Sequence, residues 1–278
     1  MAEPGHRKLN VLALTEGYPH GAGLAGIFHV DQFRELAANG INLTVAGATP
    51  WVPPGLERFS RWARYDAGPV RQEVDGFTVY RPRYPAIPGE ARWLRPHWIQ
   101  AAVIGRLPIP RPDIIHAFFA LPQGSTARIL ARRWQAPYLV TCLGGDVTHL
   151  AQQSAYHQNL FRDVLADAST AMANGPSLAR QAAKLANTSV ETYPLGIDGK
   201  RFIDLPDKSA ARAELNLPLD KTLVLFVGSL SEEKGVADLL RSMARLDDPN
   251  LRCVLVGTGP LLDQAKATPG CIAMGFQD

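Results

Sequence analysis

A lysine that follows a strand-like run and a glycine turn gives the clearest chemical signal in the sequence. Residues 223–227 are wholly apolar, Gly228 and Ser229 come next, and Lys234 stands just before a segment with helical spacing. In open α/β sheets, ligands bind beyond the carboxyl ends of the strands, where a helix N-terminus adds a partial positive charge. Lysine adds a full charge, so the segment is typical of a phosphate or diphosphate site. A surface loop with a solvated lysine is the alternative.

Two other glycine-bearing turns follow strand-like runs. The first carries Gly257 and Gly259 after residues 251–256. The second follows residues 137–142 and carries, in order, Gly144, Gly145 and Asp146. If these runs are parallel strands of their sheets, both turns lie at carboxyl ends, where ligands of α/β proteins bind.

A third glycine loop spans residues 21–26 and reads G-x-G-x-x-G, with Gly23 and Gly26 as its second and third glycines. A dinucleotide fingerprint requires this motif tight against a strand end, with an acidic residue about 20 positions further on. Here residues 15–20 intervene, and the second predicted strand ends at residues 46–49 without a carboxylate. The sequence favours a loop that covers a phosphate or a sugar, and a plain flexible turn is the alternative.

Several other reactive residue types have simpler structural explanations. Asp247 and Asp248 stand between a predicted helix and a proline, where turn chemistry accounts for them better than a metal site does. No base can be assigned to Cys142, so a small side chain packed at a strand end is favoured over a nucleophile. His29 and His116 are expected to pack or cap. No metal site is therefore predicted.

The composition restricts the class of protein. A length of 278 residues suffices for two domains, and 46% hydrophobic with 20% charged residues is ordinary for a globular protein. No apolar run reaches the roughly 18 residues of a transmembrane helix, and the N-terminus lacks a signal-peptide core, so a cytoplasmic location is expected. Three cysteines without C-x-x-C spacing suggest neither a disulfide framework nor a zinc site. The net charge of +3 does not indicate nucleic acid as a partner.

Arginines are concentrated between Arg58 and Arg111, and aromatic residues accompany them. The aromatic residues in and beside this stretch are Trp51, Phe59, Trp62, Tyr65, Trp93 and Trp98. Such a mixture could contact the anionic inner face of a membrane as a peripheral protein does, or a polyanionic acceptor. A solvated surface with a few packed aromatic rings is the alternative.

The elements that must position these residues alternate between strands and helices. Strands are predicted at residues 9–14, 41–46, 113–116, 137–142, 168–173 and 189–193. Helices are predicted at 27–39, 93–106, 124–134, 152–166 and 176–185, a hairpin at 70–84 around Asp75 and Gly76, and irregular structure at 50–69. This alternation predicts a parallel sheet with right-handed crossovers.

A second strand-and-helix series follows a predicted linker at residues 205–208, which divides the chain into domains 1–204 and 205–278. Its predicted strands are 223–227, 251–256 and 271–274, and its predicted helices are 236–246 and 261–267. Three strands are few for a doubly wound sheet, so the second domain is predicted to be incomplete.

Taken in order, these motifs resemble those of retaining, nucleotide-sugar-dependent glycosyltransferases of the GT-B fold, of the family-four type. The matching segments are residues 18–19 with 26–30, 113–116 with 141–147, 193–198 with Phe202, 227–230 with 233–236, and 255–260. The resemblance covers nearly the whole chain. It implies an α/β protein with two Rossmann-like, doubly wound parallel-sheet domains, of which the first lies on the acceptor side and the partial second binds a nucleotide sugar.

The resemblance also implies a chemistry. The donor would be a nucleotide diphosphate sugar, and the acceptor a glycan, a lipid or a small molecule. Fixed N–H groups, helix dipoles and a lysine can neutralise a leaving diphosphate without a metal, and domain closure would exclude water. The implied catalytic residues are Gly144, Gly145 and Asp146. The implied donor-binding residues are Gly23, Gly26, Gly196, Gly228, Ser229, Lys234, Gly257 and Gly259.

The chain departs from the family pattern at three places. Leu143 stands where the family usually has histidine, and Ser229 stands where it usually has arginine. The sequence also ends before the family's paired-glutamate motif. We therefore expect a C-terminally truncated glycosyltransferase. A catalytically inactive fragment that acts as a binding or regulatory partner is the alternative.

Overall fold

The computed structural model describes residues 7–15, 18–19, 29–51, 68–85 and 96–277. Contacts between residues divide the chain into two units, Met1–Asp198 and Gly199–Asp278. The boundary predicted from the sequence lies after residue 204. The predicted glycine loop at 21–26 and most of the arginine-rich stretch lie outside the described residues.

The first unit is organised around an eight-stranded sheet. Its strands, with two further short ones, are β1 (Asn10–Leu14), β2 (Asn42–Ala46), β3 (Thr49–Trp51), β4 (Arg71–Val74), β5 (Phe77–Tyr80), β6 (Arg83–Pro85), β7 (Ile114–Phe118), β8 (Tyr138–Cys142), β9 (Thr170–Ala173) and β10 (Glu191–Thr192). The sheet order is β10-β9-β8-β7-β1-β2-β5-β4, and β3 pairs separately with β6. Every pairing is parallel except that of β4 with β5. The predicted parallel sheet and the hairpin around Asp75 and Gly76 are therefore confirmed.

The helices of the first unit are α1 (Val30–Ala38), α2 (Pro96–Ile104), α3 (Ser125–Trp134), α4 (Gly145–Thr148), α5 (Ala155–Asp167) and α6 (Pro176–Ala186). Local chemistry sets several of their ends. The Ser154 hydroxyl accepts the backbone N–H of His157, so α5 begins at Ala155 rather than at the predicted residue 152. Gln135 and Asn187 adopt left-handed backbone angles that end α3 and α6.

Successive residues of β1 enter two different cores, as the alternation of a strand requires. Leu12 and Leu14 join a core that includes residues of α2, α3, α5 and α6, whereas Ala13 joins a core that includes Phe33 of α1. The sheet is thus covered by helices on both faces, which parallel sheets need because both of their faces are apolar. This layered α/β architecture matches the predicted fold class.

The second unit is smaller. It contains α7 (Lys208–Glu214), β11 (Thr222–Val227), α8 (Val236–Leu246), β12 (Leu251–Val256), α9 (Leu262–Ala267) and β13 (Cys271–Gly275). The three strands form one parallel sheet in the order β11-β12-β13. Helices α8 and α9 share one core with that sheet, which includes Leu240, Leu255 and Ala265. Three predicted strands and the two helices that join them are confirmed.

Helix α7 begins at Lys208, the last residue of the predicted linker over residues 205–208, and residues 205–207 lie outside the helix. The carboxylate of Asp207 accepts the backbone N–H groups of Ser209 and Ala210, both at 2.8 Å, and this capping starts a helix at Lys208. The helices predicted from the sequence do not include α7, because a proline followed by polar residues is also typical of a linker. Nowhere in the described ranges does a helix have the length and apolarity needed to cross a membrane.

Candidate functional site

Lys234 lies between a strand end and a helix N-terminus, as the sequence predicts. It ends a single 3₁₀ turn, Glu232–Lys234, and Gly235 follows with a φ of 74° that admits the chain into α8. The Lys234 side chain is exposed, and it forms no ion pair or hydrogen bond with the residues that the structure describes. A cation therefore stands beside the positive end of the α8 dipole, an arrangement that favours an anion. Ser229 is exposed in the same loop.

The loop after β11 is joined along its backbone to the loop after β12. The N–H of Leu230 donates to the Thr258 carbonyl, and the N–H of Leu261 donates back to the Leu230 carbonyl, each at 2.9 Å. A Cβ atom on Gly257 would lie 1.9 Å from the Gly228 carbonyl oxygen, and one on Gly259 would lie 2.5 Å from the Leu230 oxygen. Glycine is thus required at positions 257 and 259 by contact between two loops of the protein itself. Contact of these glycines with a donor stays a prediction.

Three further glycines are predicted to bind the donor: Gly23, Gly26 and Gly196. Gly196 belongs to the first unit, is exposed, and has nothing within 4 Å of the position that a Cβ would occupy. An alanine side chain would therefore fit at position 196 without a steric clash. Gly23 and Gly26 lie outside the described residues, and their proposed role stays a prediction.

Asp146 is the centre of a hydrogen-bonded cluster at the carboxyl ends of β7 and β8. One carboxylate oxygen accepts the backbone N–H of Ala120 at 2.7 Å, and the other accepts those of Leu143 at 3.2 Å and Gly144 at 3.0 Å. The side chain is fully buried, and burial raises the pKa of the carboxyl although these three donors act in the opposite direction. A carboxylate held in this way ties two loops together and has little freedom to reach a substrate.

Gly144 and Gly145 lie beside this carboxylate and leave open space. Gly144 has a φ of 136°, which side-chain-bearing residues rarely adopt, whereas Gly145 opens α4. A Cβ on either glycine would meet nothing within 4 Å. The next residue before them, Leu143, is half-buried and packs against the core that contains Tyr18 and Phe118. Of the three predicted catalytic residues, Asp146 accepts backbone N–H groups of the protein through its carboxylate. Gly144 and Gly145 border open space.

Two histidines and a cysteine near this loop remain uncharged. Burial lowers the pKa of His29 to about 3, with His116 as a second cause, and burial lowers the pKa of His116 to about 4. His116 shares a 2.8 Å hydrogen bond with the Thr141 hydroxyl. Burial and the Asp146 carboxylate raise the pKa of the Cys142 thiol well above its usual range. These properties suit packing residues, as the sequence analysis expected, and they make Cys142 a poor nucleophile.

Two further residues, which were not predicted from the sequence, hold loops at this edge of the sheet. Asn174 donates its side-chain N–H to the Leu143 carbonyl at 3.3 Å. Arg81, only 2% exposed, donates to the carbonyls of Tyr18 at 3.0 Å and Pro69 at 3.2 Å. The signal for Arg81 was available, since a charged residue directly follows an apolar strand. Within the described ranges, no group of three or more His, Cys, Asp or Glu side chains is placed to hold a metal ion.

Comparison with known proteins gives two family matches along the chain. Residues 28–196 match the glycosyl transferase 4-like domain, and residues 207–268 match the glycosyl transferases of group 1. Among curated proteins, the chain is 32% identical over 266 residues to TuaC of Bacillus subtilis, named for a glycosyltransferase of teichuronic acid biosynthesis. That match covers 94% of this chain and 67% of TuaC. The chain spans only 50 to 57% of the next three curated relatives.

Solved structures show the same fold. A sucrose-phosphate synthase from Thermosynechococcus elongatus superposes with a TM-score of 0.72 at 20% identity, over 98% of this chain and 71% of that one. The Anabaena protein HepE, in complex with UDP and glucose, superposes with a TM-score of 0.62 at 17% identity, over 97% of this chain and 70% of that one. The two-unit α/β architecture is therefore that of GT-B glycosyltransferases.

Proposed function

The chain belongs to the glycosyl transferase 4-like family, and from that membership we propose that it transfers a sugar from a nucleotide diphosphate donor to an acceptor hydroxyl. The observation that carries the proposal is the position of Lys234. Its exposed ammonium precedes α8 at the carboxyl end of β11, inside the segment that matches the group 1 glycosyl transferases. The HepE complex with UDP and glucose supports a nucleotide sugar as the donor.

The proposed chemistry follows from the charges involved. As the acceptor oxygen bonds to the anomeric carbon, the nucleoside diphosphate leaves with the electrons of the broken C–O bond, and the acceptor hydroxyl passes its proton to a phosphate oxygen of this leaving group. Negative charge therefore grows on the diphosphate while positive charge grows on the sugar. Lys234 and the α8 N-terminus would stabilise the growing negative charge, and the nearby hydroxyl of Ser229 would donate a hydrogen bond. We expect no metal to be required.

We assign Asp146 a positioning role in this reaction. Its carboxylate fixes the backbone of Leu143 and Gly144 relative to Ala120. That arrangement would hold the open face of Gly144 and Gly145 in place for the reacting sugar. This role refines the catalytic role that the resemblance implies, because the carboxylate is already occupied by three donors.

The acceptor and the stereochemistry are finer parts of the proposal. The name of TuaC supports a growing polysaccharide as the acceptor, which would be glycan or lipid-linked. Trp51 and Trp98, exposed by 51% and 56%, support a peripheral contact with a lipid-bearing surface. Retention of the anomeric configuration is proposed from the resemblance. Proton NMR of the first product, before anomers equilibrate, would distinguish retention from inversion.

The test of transfer is release of nucleoside diphosphate from a panel of nucleotide sugars, measured with and without a polysaccharide primer. We expect release from one donor to depend on Lys234 and to increase with the primer. Equal release from the parent chain and from a Lys234→Ala variant, for every donor, would contradict the proposal. The comparisons do not favour an inactive binding partner, because both matched segments are those of glycosyltransferases.

A further inference from the structure

Two cysteines of the second unit face each other across neighbouring strands. Cys253 of β12 and Cys271 of β13 are register partners in a parallel pairing, so their side chains project from the same face of the sheet. Both contact the core beneath α8 and α9. Adjacent strands are about 4.8 Å apart, a spacing that lies within the Cα range of natural disulfides. Both thiols are free in the structure.

The two thiols differ in access and in acidity. Cys253 is completely buried, and burial raises the pKa of its thiol to about 11. Cys271 is half-buried, and its pKa is raised by burial but lowered by a hydrogen bond from the Cys253 thiol. Cys271 is therefore the thiol that ionises first and that a reagent can reach. Cys253 is the buried second thiol, which can react only with the sulfur of Cys271.

We propose that Cys253 and Cys271 are a dithiol–disulfide site that closes under an oxidant of the low-molecular-weight disulfide class. The Cys271 thiolate attacks one sulfur of the oxidant, whose S–S bond breaks and releases one thiolate. The Cys253 thiol then loses its proton and attacks the Cys271 sulfur, which releases the second thiolate. The pair gives up two electrons and two protons, and the oxidant becomes two thiols.

Closure of this site would restrain the chain that leads into the loop after β12. The link would span residues 253–271, which include Gly257, Gly259 and the whole of α9. It would fasten the start of β13 to the middle of β12. Gly270, with a φ of 75°, immediately precedes Cys271, and its carbonyl accepts the backbone N–H of Cys253 at 2.8 Å, which holds the two strands together at this position.

The test uses oxidised glutathione on the full chain in its native state. After quenching with acid and alkylating the remaining thiols, peptide mapping by mass spectrometry reports each cysteine separately. We expect a peptide linked through Cys253 and Cys271, while Cys142, which is buried in the first unit, stays reduced. Because the thiolate is the attacking species and burial raises the pKa of the Cys271 thiol, we expect linking to be faster at pH 9 than at pH 7.

Two variants locate the chemistry. Cys253→Ser should leave one glutathionyl group on Cys271, and Cys271→Ser should leave Cys253 reduced because no reagent reaches it. A native chain that carries glutathione on Cys271 without the internal link, or that stays fully reduced at pH 9, would overturn the proposal. Neither outcome bears on donor binding, since the link is measured by mass.

Discussion

Gly257 lies against Gly228 so closely that a methyl group at position 257 would stand 1.9 Å from the Gly228 carbonyl oxygen. Gly257 also has a φ of 135°, and the Gly228 N–H donates to the Val256 carbonyl at 2.9 Å. The turns that follow β11 and β12 are therefore one packed unit. The loop that carries Lys234 depends on this contact for its shape.

A Gly257→Ala substitution should destabilise the second unit by about 2–5 kcal/mol, because the clash is with backbone and the φ angle strains any side chain. Urea unfolding, followed by a probe in the second unit, measures the change. Gly199→Ala is the matched control, since Gly199 also belongs to the second unit and nothing lies within 4 Å of its Cβ position. Equal unfolding free energies for the two variants would contradict the loop contact.

An Asp146→Asn substitution should destabilise the first unit by about 2–3 kcal/mol. Both oxygens of the Asp146 carboxylate accept backbone N–H groups, whereas an asparagine side chain has only one oxygen. The asparagine NH₂ group would therefore face a backbone N–H, and that buried donor would lose its acceptor. Asp163→Asn removes an exposed carboxylate that pairs with the half-buried Arg128, and it should cost less than about 0.5 kcal/mol. Denaturant unfolding compares the two. A variant at position 146 as stable as the parent would show that the carboxylate does not tie the loops.

Acid should weaken the first unit through His29 and His116. Both have folded-state pKa values, about 3 and about 4, below the ordinary 6.5. Between pH 6.5 and about 4 the unfolded chain binds protons at these histidines and the folded chain does not, so the unfolding free energy falls as the pH falls. The slope is about 1.4 kcal/mol per pH unit for each group.

Urea unfolding at a series of pH values checks this dependence. His29→Phe keeps an aromatic ring beside Phe33 and Phe118 and should make the slope shallower. If His29→Phe kept the parent's slope, the buried His29 would not be a source of acid sensitivity.

The outer edge of β11 should promote self-association. Within the described part of the chain β11 pairs only with β12, and Leu225 and Val227 are 65% and 68% exposed. Open apolar strands pair with other chains, and lysine at such an edge opposes this. Leu225→Lys should therefore weaken self-association of the chain, as measured by sedimentation velocity, without loss of folded structure. Leu255→Lys, at a fully buried position of β12, should instead unfold the unit. Unchanged association in Leu225→Lys would contradict this account.

Strand and helix positions followed from the sequence because their patterns are local. The boundaries of α8 and β12 agree with prediction to the residue, since an apolar run or a helical repeat ends at a glycine, a proline or an aspartate turn. The structural reason for glycine at a given position could not be predicted from the sequence. The need for glycine at 257 comes from Gly228, whose approach depends on how two loops meet in space. The occupied carboxylate of Asp146 is a similar case, because its partner Ala120 lies far from it in sequence.

We propose that the loop carrying Lys234 binds the diphosphate of a nucleotide sugar. Isothermal titration calorimetry of UDP and a panel of nucleotide sugars into the parent chain, Lys234→Ala and the matched control Lys266→Ala measures this binding. The account predicts heat of binding for the parent and the control, and at least about tenfold weaker binding for Lys234→Ala, which corresponds to about 1.4 kcal/mol. No heat with any nucleotide, or equal affinity in all three proteins, would contradict it.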